Sequence, residues 1–292
     1  MRVCIAHDRG LAFLGPLPDG VVVTVSDEPG DCEFWVPSFG NRTGLGELAE
    51  LRVVQLLSAG ADGWIGRLPS HVTLCDARGV HTSSTAELVV TAILSYLREL
   101  PRFARAQARR SWEHTNTDEL NGKRVLVVGA GAIGEAVAAR LTPFEVSLTL
   151  VARTARAGVH GFDELPKLLP EADIVVVVVP LTTETTGMVD AAFLAAMPDG
   201  ALLVNASRGP VADQAALTEV LATGRIGAAL DVTDPEPLPV DSPLWTMPNV
   251  LLTPHVGGAV RSVLRKAYGL AGDQLRRYAA GEPLINVVHG EY

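Results

Sequence analysis

The chain has 292 residues, 48% of them apolar and 20% charged, with a formal net charge of −9. That length exceeds what one hydrophobic core usually organises, and the apolar content is enough to fill two, so two domains are expected. The acidic balance, with no Lys/Arg-rich stripe to offset it, opposes attraction to phosphate backbones and weighs against nucleic acid as a partner.

The N-terminus opens directly into the strand-like run Met1–Ala6, without the long apolar region of a signal peptide. The longest apolar run, Ile174–Leu181, is too short to span a bilayer, so no membrane partner and a cytoplasmic location are expected. From Val3 to about Cys75, β-rich runs (Val21–Val25, Phe34–Val36, Val53–Leu57, Val72–Leu74) alternate with Gly/Pro/Asp turns and a short helical stretch near Leu45–Leu51. Cys4, Cys32 and Cys75 are odd in number and lack CxxC spacing or nearby His clusters, so neither a disulfide framework nor a metal site is expected. A helix is predicted from about Ser84 to Arg110, with Pro101 kinking or breaking it.

From Lys123 the pattern turns regular. Strands are predicted at Val125–Val128, Ser147–Val151, Ile174–Val179, Ala201–Asn205, Gly227–Asp231 and Val250–Thr253. Helices fit between them at Ala132–Leu141, Asp163–Leu168, Ala191–Ala196 and Gln214–Thr223. Apolar strands separated by crossover helices indicate an α/β fold with a doubly wound parallel sheet. A last helix, about Ser262–Ala279, precedes a short strand, Ile285–Val288, that is expected to return to the first domain. The domain reading is a smaller α/β domain at residues 1–88 plus 270–292 and a dinucleotide-binding domain at residues 89–269.

Gly129-Ala130-Gly131-Ala132-Ile133-Gly134 follows one predicted strand and opens a helix, which is the context a dinucleotide fingerprint requires. Gly129 permits the tight turn, Gly131 admits the pyrophosphate, Gly134 lets helix and strand pack closely, and the helix N-terminus faces the phosphates. The next strand runs into Arg153-Thr154-Ala155-Arg156, where an NAD-selective enzyme would present an acid to the ribose. Two guanidinium groups with a hydroxyl between them suit a 2′-phosphate, which predicts NADP(H) over NAD(H), the latter remaining possible. Beyond later strands lie Asn205-Ala206-Ser207-Arg208-Gly209, Asp231-Val232-Thr233-Asp234-Pro235-Glu236-Pro237 and Thr253-Pro254-His255-Val256-Gly257-Gly258.

With Pro180-Leu181-Thr182-Thr183-Glu184-Thr185, Ser58-Ala59-Gly60-Ala61-Asp62 and Pro243-Leu244-Trp245, these motifs in this order make the chain resemble the D-isomer-specific 2-hydroxyacid dehydrogenase family, over nearly all of it beyond about residue 50. The resemblance implies two doubly wound parallel-sheet domains, a Rossmann dinucleotide-binding domain and a smaller flavodoxin-like substrate domain. It implies that Arg208 holds the substrate carboxylate and polarises the carbonyl, that His255 exchanges the proton, and that Glu236 orients the imidazole and favours its charged form. The backbone of Ala59 and Gly60 would share the carboxylate. Pro180, Thr182, Thr185, Ala206, Asp231 and Gly257 would join Gly129, Gly131, Ala132, Ile133, Gly134, Arg153, Thr154 and Arg156 around the cofactor.

Glu236 disfavours formate, since the formate dehydrogenases resembling this pattern carry Gln there. Arg78–Ser83 replaces the family's more usual Asn-containing segment, and His81 reads either as a turn residue or as a cleft lining. The leading expectation is a reductase of glyoxylate, hydroxypyruvate or a similar small 2-keto acid, dimerising through the long helix after Ser84. Two alternatives stay open: a nucleotide-sensing, non-enzymatic interaction protein of the corepressor type, and a phosphoglycerate dehydrogenase-like enzyme. The intact Arg208/Glu236/His255 set favours catalysis over the first, and the absence of an added C-terminal domain after Tyr292 weighs against the second.

Overall fold

The computed structural model describes residues 1–41 and 48–290, which form two compact units, Met1–His81 with Val260–Tyr292 and Thr82–Ala259. The chain leaves the first unit at His81/Thr82, ahead of residue 88, because the helix that begins at Thr82 packs along a helix of the second unit. It returns at Val260, ahead of residue 270, because the last helix packs whole on the first unit.

Unit 1 holds a five-stranded parallel sheet built from β1 (Arg2–Ile5), β2 (Val22–Val25), β3 (Phe34–Val36), β4 (Val53–Gln55) and β5 (Thr73–Cys75), ordered β2-β1-β3-β4-β5. That is the flavodoxin-like order expected. Edge strand β2 is largely exposed, whereas β3 and β4 are buried throughout, as strands covered on both faces must be. Of the predicted helix near Leu45–Leu51, Leu45–Glu47 lie outside the described residues, and Leu48–Leu51 form an irregular turn that buries Leu48 and Leu51.

Unit 2 begins with α1 (Thr82–Leu97) and α2 (Leu100–Ala108), so the long predicted helix is two. Glu99 takes a left-handed φ of 48° between them, and Pro101 falls in the first turn of α2, where its missing N–H removes no helical hydrogen bond. The remaining elements alternate: β6 (Arg124–Val128), α3 (Ala132–Leu141), β7 (Ser147–Ala152), β8 (His160–Gly161), α4 (Leu165–Leu168), β9 (Ile174–Val177), α5 (Ala191–Ala196), β10 (Leu202–Asn205), α6 (Gln214–Ala222), β11 (Gly227–Leu230) and β12 (Val250–Leu252). The seven parallel strands are ordered β12-β11-β10-β9-β6-β7-β8, so the order reverses beside β6. β8, only two residues long, has no sequence signal. The Asp163–Leu168 helix is a single α-turn flanked by 3-10 turns, because Pro166 and Pro170 interrupt the donor ladder.

Two apolar layers flank this sheet. One joins Leu126, Val128, Val175, Val177 and Leu203 to α5 and α6. The other joins Val125, Val127, Ile174 and Val176 to Val89 and Ile93 of α1 and Val137 of α3.

The last helix, α7 (Val263–Ala279), buries Ala267, Tyr268, Ala271 and Leu275 against Val3, Ile5, Leu14 and Phe34 of unit 1. Residues 285–288 do return to that unit, but as one antiparallel bridge, Cys75 to Val287, and not as a strand. The bridge is flanked by bonds from the Asp76 N–H to the Asn286 carbonyl at 3.0 Å and from the Val288 N–H to the Leu74 carbonyl at 2.9 Å, but Asn286 takes a left-handed φ of 55°, which breaks the extended backbone, and buried Gln274 binds the Ile285 carbonyl at 2.7 Å and its N–H at 3.0 Å.

Candidate active site

Because every strand of the second sheet runs the same way, the five loops after β6, β9, β10, β11 and β12 gather at its carboxyl edge, the edge that binds ligands in open α/β sheets. The first is the glycine-rich turn. Gly129 has a φ of +116°, and a Cβ there would lie 2.7 Å from the Val178 carbonyl oxygen. A Cβ on Gly134 would lie 1.9 Å from the carbonyl oxygen of Gly129, so α3 and β6 approach only because it is absent. Gly131 differs: its φ of −92° suits any residue, and a Cβ there would meet nothing within 4 Å. Protein packing therefore does not demand glycine at 131, and the open flank leaves room for close approach by a ligand. Gly131 is also the N-cap of α3 and has no side chain to cap the first turn, which begins Ala132-Ile133 and offers its N–H groups to an anion.

The turn is anchored to β7, since the N–H groups of Gly129 and Ala130 both donate to the Val151 carbonyl at 2.8 and 3.0 Å. Just beyond β7, Arg153, Thr154 and Arg156 are exposed. Arg156 donates to the Ala130 carbonyl at 2.7 Å and lies 3.6 Å from Glu135 on α3. After β9, Pro180 is exposed at the edge, whereas Thr182 and Thr185 are buried and turn their hydroxyls inward. Thr185 Oγ1 donates to the Pro180 carbonyl at 2.6 Å and accepts the Thr182 N–H at 2.9 Å, closing the loop on itself.

Three loops carry the residues expected to be catalytic. After β10, Asn205 Oδ1 accepts the Ser207 N–H at 3.1 Å and its hydroxyl at 2.6 Å, which bends the chain through Ala206 and sets out Arg208, half-buried. Gly209 brings this loop against the next, for a Cβ on it would sit 1.9 Å from the Thr233 carbonyl oxygen. After β11, Glu236 Oε1 accepts the Thr233 N–H at 3.2 Å, and Oε2 lies 2.8 Å from His255 Nδ1. A carboxylate only accepts, so Nδ1 carries the proton and Nε2 is left for chemistry. The pair is more than a third exposed on both sides, so it orients the ring and adds little stability.

Backbone strain at His255 is held by Asp231. His255 has a φ of +53°, a region that costs a non-glycine residue about 1–2 kcal/mol. Its N–H donates to the Asp231 carbonyl at 2.7 Å. The buried Asp231 carboxylate accepts from Thr253 Oγ1 at 2.6 Å, Val256 N at 2.9 Å and Gly257 N at 2.8 Å. Sequence reasoning placed Asp231 and Gly257 beside the cofactor; the structure adds that they clamp the histidine loop. An Asp at a strand end followed some twenty residues later by Thr-Pro-His was the only signal for this.

In unit 1, Ala59 and Gly60 follow β4 at the carboxyl edge of its sheet, where Ser58 Oγ donates to the Gly60 carbonyl at 2.9 Å. His81 Nε2 donates to the Leu57 carbonyl at 2.8 Å, so it holds this loop from the turn before α1. Two residues that sequence reasoning passed over stand at the same edge. His7, after β1, meets the Tyr268 hydroxyl with Nδ1 at 3.0 Å, and Phe39, after β3, lies edge-on to His81 with centroids 6.2 Å apart.

Comparison with known proteins gives this geometry its context. Residues 90–257 match the family model for the D-isomer specific 2-hydroxyacid dehydrogenase NAD binding domain. The human glyoxylate reductase/hydroxypyruvate reductase is 33% identical over 258 residues, covering 81% of this chain and 76% of that protein. A D-isomer specific 2-hydroxyacid dehydrogenase from Xanthobacter autotrophicus Py2, solved with NADPH and MES, superposes with a TM-score of 0.85 at 32% identity, over 99% of this chain and 98% of that one. An NADPH-dependent glyoxylate/hydroxypyruvate reductase from Sinorhizobium meliloti, solved with NADP and sulfate, gives 0.85 at 27% identity and 98% coverage of both.

The chain belongs to the D-isomer-specific 2-hydroxyacid dehydrogenase family. It is therefore an NAD(P)-dependent oxidoreductase acting on 2-hydroxy acids. The glycine turn fits a nicotinamide dinucleotide on its own evidence, through the open flank at Gly131 and the uncapped first turn of α3. Among the described residues no group of three or more His, Cys, Asp or Glu is arranged to hold a metal ion, and no helix is long and apolar enough to cross a membrane.

Proposed function

We propose that this dehydrogenase reduces a small 2-keto acid of the glyoxylate or hydroxypyruvate class, with NADPH preferred over NADH. The observation that carries the reading is the 2.8 Å Glu236–His255 pair at the sheet edge that also bears Arg208. When bound at the glycine turn, the reduced nicotinamide supplies the hydride for carbon 2. Arg208 pairs with the substrate carboxylate through its planar fork, and its fixed charge stabilises the carbonyl oxygen as it becomes an alkoxide. His255, as imidazolium held at Nδ1 by Glu236, gives that oxygen its Nε2 proton and becomes a neutral imidazole whose Nδ1–H stays on Glu236 until Nε2 is reprotonated. The oxidative direction reverses the proton's path. NADPH preference rests on the turn after β7, which carries Arg153 and Thr154 and no acid to pair with a ribose hydroxyl. We further propose a cytoplasmic homodimer.

The test is a panel of 2-keto acids with NADPH and with NADH, followed by nicotinamide absorbance, on wild type and His255→Ala. Wild type is expected to turn over glyoxylate or hydroxypyruvate with a higher kcat/KM for NADPH, and the variant to lose about 10²–10⁴-fold in kcat. No turnover of any acid would favour the nucleotide-sensing alternative. An undiminished His255→Ala would remove that residue as proton donor. Sedimentation showing a stable monomer at micromolar concentration would remove the dimer.

A further inference from the structure

The turn after β7 carries two arginines, Arg153 and Arg156, and Arg156 is tied into the fold. Arg156 is the corner of a small closed loop, because its N–H donates to the Val159 carbonyl at 2.9 Å and its carbonyl accepts from Val159 at 2.8 Å. With its backbone fixed, its guanidinium reaches across to the glycine-rich turn. It donates to the Ala130 carbonyl at 2.7 Å and lies 3.6 Å from the Glu135 carboxylate, which sits in the first turn of α3. Glu135 is itself favourably placed there, since the helix N-terminus carries partial positive charge.

The glycine turn is thus gripped from two sides. Val151 accepts the N–H groups of Gly129 and Ala130, and Arg156 holds the carbonyl of Ala130. The peptide unit before the Ala130 Cα is held at its N–H and the one after it at its carbonyl, so Ala130 has little freedom in φ and ψ, and rotation of the second unit would re-aim the Gly131 N–H that it carries. In the dinucleotide site proposed above that N–H group would meet the pyrophosphate, a part that NADH and NADPH share. The 2′-phosphate belongs to NADPH alone.

We infer that Arg156 is a positioning residue for the glycine-rich turn, serving NADPH and NADH alike, and that discrimination between them falls to Arg153. The inference rests on the dinucleotide site proposed above. Its chemistry is a charge-assisted hydrogen bond to a neutral carbonyl, with the remaining charge balanced by Glu135, so that Arg156 contributes backbone geometry and not phosphate recognition.

The test measures dissociation constants for NADPH and NADH by fluorescence titration, together with amide hydrogen exchange of the cofactor-free protein. Arg156→Ala is expected to weaken both cofactors by about five- to tenfold, leaving their ratio within roughly twofold, as loss of one partly exposed charge-assisted bond implies. Exchange at Ala130–Ile133 should quicken in the same variant, and Arg156→Lys, which keeps a cationic donor, should recover part of both losses. Arg153→Ala is expected to weaken NADPH by about 100-fold and NADH by less than roughly twofold.

Weakening of NADPH alone by Arg156→Ala would overturn the inference and make Arg156 a phosphate ligand. Unchanged affinities and unchanged exchange would overturn it too, leaving a solvated surface arginine. If Arg153→Ala leaves NADPH binding intact, the NADPH reading falls, while equal losses in Arg156→Ala still support the clamp.

Discussion

Replacing Asp231 by alanine separates the histidine loop's geometry from its chemistry. The carboxylate is only 7% exposed and accepts three hydrogen bonds, from Thr253 Oγ1, Val256 N and Gly257 N. In the variant the buried Gly257 N–H loses its acceptor outright, a loss of about 1–3 kcal/mol. Val256 and Thr253 are half-buried and can recruit water, so each adds less, and the sum is about 2–4 kcal/mol. The loop also loses the two bonds that fix the residues immediately after His255, which holds a φ of +53° at the expense of local strain. A relaxed loop carries the imidazole away from Glu236, and a displacement of about 1 Å at a reacting group lowers kcat by roughly 10². The assay pairs a urea denaturation curve with steady-state kinetics and a separate nucleotide titration. Expected are a lower midpoint, a kcat loss near 10², and an NADPH dissociation constant changed far less than kcat. Stability within about 0.5 kcal/mol of wild type together with kcat within about twofold would refute the clamp, because no surface aspartate change does more than that.

Two further outcomes follow from single atoms. Gly131→Ala is expected to fold with an unaltered melting temperature, since its Cβ meets nothing within 4 Å, yet to bind nucleotide at least about tenfold more weakly; Gly134→Ala, whose Cβ would sit 1.9 Å from the Gly129 carbonyl, is expected to lose about 2–3 kcal/mol of stability. Equal behaviour of the two variants would contradict the division between packing and ligand access. The three thiols are buried, and burial raises that of Cys4 and pushes those of Cys32 and Cys75 up to about 12, so a thiol reagent at pH 8 should label none in the native protein and three after unfolding. Because the folded-state values lie above the unfolded ones, their stabilisation is complete below about pH 8.5 and falls as pH rises toward 12, by up to about 1.4 kcal/mol per unit for each of the two. Stability that rises across that interval would show the thiols to be ionised in the fold.

Much of the molecule was legible in the chain because its signals are local. Parallel strands buried on both faces read as unbroken apolar runs, so β6, β9, β10 and β11 were placed to within a residue or two. The glycine fingerprint was recognisable because strand, turn and helix are contiguous in sequence. The Arg208, Glu236 and His255 motifs were identified by their order along the chain, and each follows a strand whose end could be predicted.

What the sequence by itself determined is therefore the class of fold and the family, with the glycine turn and the candidate catalytic side chains named from it. The tertiary structure alone decided how those side chains are held. Asp231 and His255 come together because β11 and β12 are hydrogen-bonded neighbours, which depends on sheet order and not on local propensity. The 285–288 segment is held as a single bridge by Asp76 and Leu74 on one side and by a buried glutamine from α7 on the other, partners far from it in the chain. Arg156 reaches Ala130 across 26 residues of chain, a contact set by the packing of β6 against β7, and nothing in the turn's own sequence distinguishes it from Arg153. Local patterns choose which groups are present, whereas partners distant in the chain choose their orientation, because only the folded sheet brings donor and acceptor within hydrogen-bonding distance.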